Sequence, residues 1–96
     1  MPQGRADGHH QSVISGIVID AQGKPVSLAR VYFVESPVAV PDVAALTGPD
    51  GRFSLSAPVE GKYAIECTAD EFKPRRLTVE VPMEELLEVQ LQALHA

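Results

Sequence analysis

The stretch TGPDGRFSLS, residues 47–56, decides how the chain is read. Pro49 presets φ near the value required at the second position of a type I turn, and Asp50 suits the third. Gly51 can take the left-handed conformation with which such a turn closes into a bulge. From Arg52 to Ser56 polar and apolar residues alternate, which puts Phe53 and Leu55 on one face of a half-buried strand. The stretch therefore reads as a hairpin turn feeding a strand. Glycines and free amides also cradle phosphates, but a phosphate loop leads into a helix through a Lys-Ser/Thr pair, and neither follows Gly51.

The same period of two recurs on both sides. Val13, Ser15, Ile17 and Ile19 alternate with Ile14, Gly16 and Val18 until residues 20–25, a run of turn formers, interrupt them. Residues 28–34 form a second strand with Ala29, Val31 and Phe33 inward and Arg30 in solvent, and residues 43–46 a third, less regular piece. Residues 58–62 break the chain before a strongly alternating strand over 62–69, in which Tyr63, Ile65 and Cys67 share the core face. After a loop over 70–74, Leu77, Val79 and Val81 alternate with Thr78 and Glu80 until Pro82. Near the C-terminus Leu87, Val89 and Leu91 fit a strand, while Leu87, Leu91 and Leu94 fit a helix face. The alternation with Glu88 and Gln90 favours the strand, since the preceding segments need a closing partner. About seven short strands without a convincing helix give an all-β fold, a single antiparallel β-sandwich.

Composition narrows the function classes. Ninety-six residues make one domain, with 1–11 expected as a disordered tail and 12–96 as the folded part. A net charge of −5 disfavours nucleic acid, whose phosphates demand clustered Lys and Arg. The basic cluster of Lys73, Arg75 and Arg76 is flanked by Glu66, Asp70, Glu71 and Glu80, and reads as a solvated strand end. No apolar run approaches the ~20 residues of a membrane span, and the first ten residues lack the apolar core of a signal peptide. The chain as it stands is expected to be cytoplasmic, or extracellular or periplasmic if it belongs to a longer or co-exported protein. The single cysteine, Cys67, forms no internal disulfide and reads as core. His9 and His10 sit side by side on the tail, a poor arrangement for a preorganised metal site, so neither metal nor cofactor is expected.

The segments SGIVIDAQGKPVSLARVYF and LTGPDGRFSLSAPVEGKYAIECTADEFKPRRLTVEV resemble the carboxypeptidase regulatory-like domain, of the transthyretin-like (prealbumin-like) group. The resemblance rests on Gly16-Ile17-Val18 with Asp20, on Gly23-Lys24-Pro25-Val26, on Ala29 and Val31, on Thr47 with Asp50-Gly51-Arg52-Phe53, and on Gly61-Lys62-Tyr63. It covers about residues 13–81 and implies a transthyretin-like, Ig-like Greek-key sandwich that serves as a non-catalytic folding, spacing or docking module. A hydrolase of 5-hydroxyisourate shares the wider fold, built around a first-strand His and a C-terminal Tyr-Arg-Gly-Ser. Here the first position falls near Ile17 and the chain ends Ala-Leu-His-Ala, so no catalytic residues are assigned.

The leading function is thus a protein-interaction or adaptor module, docking onto or loading cargo for a larger assembly such as a secretion apparatus. Its motive is residues 36–46, an 11-residue link with seven apolar residues besides its two prolines and a single charge. Connecting segments are usually polar, so this one either packs back onto the sandwich as a strand or presents an apolar patch to a partner. Partner contacts are therefore expected at Val38, Val40, Pro41, Val43 and Leu46. The alternative is carbohydrate or small-ligand binding, for which Tyr32 is the ring that alternation leaves outside.

Overall fold

A computed structural model describes residues 12–41 and 43–94. The tail with His9 and His10, Asp42, and the terminal His95 and Ala96 lie outside the described residues. Among the described residues seven strands follow one another: β1 (Ser12–Ile19), β2 (Arg30–Glu35), β3 (Ala45–Leu46), β4 (Arg52–Ala57), β5 (Gly61–Thr68), β6 (Arg75–Val81) and β7 (Leu87–Gln90). They make a three-stranded sheet in the order β4-β1-β7 and a four-stranded sheet in the order β3-β2-β5-β6. Four of the six connections cross between the sheets, which makes the molecule a sandwich rather than a meander. The pairings are antiparallel except that of β1 with β7, which is parallel.

Alternation sets which face each strand buries. In β1 it is Ile14, Gly16 and Val18 that enter the core, opposite Leu55, Phe53 and Gly51 on the β4 side. Gly16 faces Phe53 across the ladder, and the ring lies where a Cβ on Gly16 would be, with the Leu87 carbonyl 2.8 Å from that point. The second sheet contributes Val31, Tyr63, Ile65, Cys67, Val79 and Val81. Burial pushes the Cys67 thiol up from its ordinary 9.0 to about 11, partly offset by the nearby Arg30 cation.

The 47–53 turn has the conformation its residues demand. Gly51 has φ of 77°, its amide donates to the Gly48 carbonyl at 2.8 Å, and the Gly48 amide donates to the Arg52 carbonyl at 3.1 Å. Its arms, however, do not pair as a hairpin: β3 lies in one sheet and β4 in the other. The Gly51 carbonyl is taken by the Val18 amide at 2.8 Å, so β1 draws β4 away from β3 as soon as the turn ends.

Two side chains tie this crossing architecture together. The buried Thr47 hydroxyl donates to the Val26 carbonyl at 2.7 Å and accepts from the Ala29 amide at 2.9 Å, fastening the entry of β2 to the exit of β3. Tyr63 is fully buried, and its hydroxyl donates to the Val59 carbonyl at 2.6 Å and accepts from the Val59 amide at 3.3 Å. One aromatic residue thus fills the core and locks the β4–β5 corner.

Several boundaries differ from the alternation. β2 begins at Arg30, because Leu28 takes a φ of 60° and stays exposed; β3 shrinks to two residues, since Val43 and Ala44 stay outside the ladder. β7 is a strand, and the chain beyond it continues to pair: Leu91 donates to Ile19, Lys73 to Gln92 and Leu94 to Glu71. Of the five aromatic residues, Phe53 and Tyr63 are core; Phe33 and Phe72 pack half-buried against it, and Tyr32 is half-buried on the outer face opposite Glu66.

Candidate functional site

The link between β2 and β3 is neither a packed strand nor a free loop. Ser36 at its start donates to the Val38 carbonyl, and Val40 and Ala45 turn inward to pack on the core. Pro41 and Val43 remain exposed, Val43 at 68%. Leu46 is also exposed, but it belongs to β3 opposite Arg30 and faces outward while its neighbour Ala45 turns in.

Between this link and the edge of β4 the flank of the sandwich is open. A groove of about 370 Å³ runs there, with Phe33, Ala44 and Ala45 along one wall and Pro41 and Val43 at its rim. Ser54, Leu55, Ser56 and Pro58 form the opposite wall. The described residues that line it carry no charge. Phe33 is held in place from within by Tyr63, with ring centroids 4.9 Å apart and planes tilted by 41°. Since Tyr63 is itself locked at the corner, this wall of the groove is set by the core.

Of the five residues expected to contact a partner, the groove brings together Pro41 and Val43. Val40 is half-buried beneath the link, and Val38 and Leu46 lie exposed away from the lining. Residue patterning overlooked the wall contributed by Phe33 and by Ser54–Pro58. Its signal was present in β4, whose outward positions after Arg52, Ser54 and Ser56, are small and uncharged where a solvated edge normally carries charge.

The basic end of the molecule has a structural role. Arg75 donates to the Gln90 carbonyl at 3.0 Å, pinning β7, and Arg76 pairs with Glu66 at 3.5 Å. Ile17, where the hydrolase fold would place its first-strand His, is half-buried on the outer face of β1. Among the described residues no group of three or more His, Cys, Asp or Glu side chains could hold a metal ion.

The family model of the carboxypeptidase regulatory-like domain matches residues 13–93. The chain belongs to this family. Its sandwich is similar to that in the major pilin subunit of Bacillus cereus, at 10% identity and a TM-score of 0.57, covering 88% of this chain and 29% of that one. It is also similar to a DUF3823 family protein from Parabacteroides merdae, at 20% identity and a TM-score of 0.51, covering 86% of this chain and 45% of the other. The carboxypeptidase regulatory-like domain thus spans less than half of either structure it resembles. Such likeness shows the fold, a β-sandwich, and names no ligand. Comparison with curated proteins finds none that matches.

Proposed function

We propose that this carboxypeptidase regulatory-like domain is a protein-interaction module that docks a partner on the flank between the 37–46 link and β4. The observation that carries the reading is the groove of about 370 Å³, whose described lining residues carry no charge, with Val43 exposed at its rim. Apolar surface left open beside a complete core is the common mark of an association site. The fold is shared with a pilin subunit, a component of a larger assembly, and an adaptor role within such an assembly is consistent with it.

A photoreactive residue at position 43 tests this in the native host. The expected result is one dominant cross-linked protein that is absent when the same group is placed at Thr78 on β6. That protein, once purified, should bind the domain directly in calorimetry and lose binding to Val43→Asp. Equal cross-linking from both positions, or binding unaffected by Val43→Asp, would overturn the reading.

A further inference from the structure

A sandwich with two open sheets has four edges, and here three are guarded. β3 is two residues long, β7 is four residues long and carries Glu88, and β6 carries Arg75, Arg76 and Glu80. Short strands and charges are the devices that stop an edge from templating another strand. β4 is six residues long; its one charge, Arg52, stands at its first position, and neither charge nor proline follows as far as Ala57.

Its backbone is aimed outward at the right places. The Gly51 carbonyl points to β1, where Val18 takes it, and the Arg52 carbonyl points away, where Gly48 takes it. Both groups of a strand residue point to one side and alternate along the chain. The amides and carbonyls of Ser54 and Ser56 therefore face away from β1, and β4 has no other strand partner among the described residues. The apolar groove lies along this same edge, with Leu55 and Phe33 in its walls.

We infer that the free edge of β4 receives an extended, uncharged segment of a partner polypeptide by strand addition, through hydrogen bonds to Ser54 and Ser56 and an apolar side chain seated between Phe33, Val43 and Leu55. The inference rests on the docking reading above and specifies its mode and its occupant. The groove lining decides the chemistry: with no charge among its described residues, it penalises a charge buried against them. The chain's own residues 1–11 carry Arg5, Asp7, His9 and His10, and do not meet that requirement. Size argues against a second copy joined edge to edge. Six residues extend about 20 Å, and a strand pair of that length covers well under the ~800 Å² per partner of a stable interface. An extended peptide instead gains backbone pairing and pocket filling together.

The test uses the full chain and a phage-displayed library of random 12-residue peptides. Selected peptides should be uncharged over a stretch alternating apolar and small residues. A synthetic selected peptide should slow amide exchange at Ser54 and Ser56 by roughly tenfold or more, leaving Thr78 and Glu80 on β6 unchanged. Ser56→Pro removes an outward donor from an edge strand, a place that tolerates proline, and should abolish binding while the fold is retained. Protection of Ser54 and Ser56 in the unmodified protein decides the matter even if Ser56→Pro does not fold. Binding lost with Val43→Asp but kept with Ser56→Pro, without protection of the two serines, would overturn strand addition and leave the docking surface standing. Selection of charged or helical peptides, selection of none, or concentration-dependent protection of the serines without peptide would overturn it too, the last in favour of a second copy.

Discussion

Thr47 and Cys67 show how much of this small core is decided by single polar atoms. The Thr47 hydroxyl is the partner of two buried backbone groups, the Val26 carbonyl and the Ala29 amide. Thr47→Val keeps the shape and strands both, and is expected to cost about 2–4 kcal/mol in equilibrium urea unfolding. A loss below about 0.5 kcal/mol would show that the bridge is dispensable. Cys67 is buried beside Ile65 and Tyr63, and its thiol is pushed up to about 11 by desolvation. The folded state therefore holds the proton more tightly than the unfolded chain does. The resulting stability is whole below the ordinary 9.0 and is lost as pH rises towards 11. Wild type should lose more stability than Cys67→Ala between those two pH values, and its thiol should react slowly with iodoacetamide at neutral pH until urea unfolds it. Equal alkaline losses in both proteins would contradict the assigned burial.

At the scale of the element, β7 and the residues after it contribute more than their length suggests. Val89 and Leu91 are fully buried, and Leu91 carries the pairing with β1 one step beyond the strand through its bond to the Ile19 carbonyl. Leu91→Ala should cost about 2–5 kcal/mol, because truncating a fully buried side chain opens a cavity in the core beside β7. Arg75→Ala removes an exposed guanidinium bond to the Gln90 carbonyl and should cost about 1 kcal/mol or less, since water can replace it. Chemical unfolding of the two variants side by side checks the ranking, and the reverse order would mean that β7 is held by its edge rather than by its apolar face.

For the whole molecule, the decisive question is which surface is spare. The link and β4 were drawn to different sheets, and the flank between them was left open as a consequence. Val43 and Val40 lie three residues apart in sequence yet on opposite sides of that boundary, one exposed and one packed on the core. Val43→Asp should change stability by about 0.5 kcal/mol or less while removing partner binding, whereas Val40→Asp should cost about 2–4 kcal/mol. Thermal melts with calorimetric binding on both variants test this, and similar stability losses at the two positions would mean that the link packs as a single unit.

The sequence by itself determined which residues alternate, and with them the strands, the left-handed turn at Gly51, and the inward faces carrying Phe53, Leu55, Tyr63, Ile65 and Cys67. It did so because period and turn chemistry act between neighbours, where a side chain's face and a residue's permitted φ are local properties. It also marked 37–46 as unusually apolar, and with it Pro41 and Val43 of the groove. Only the tertiary structure decided that the 47–53 turn parts its strands instead of pairing them, that β7 runs parallel to β1, and that Val40 is packed while Val43 is not. Pairing partners are chosen by competition among distant strands for the same backbone groups. Val18 takes the Gly51 carbonyl, and from that long-range bond follow the sheet to which β4 belongs and the edge it leaves open.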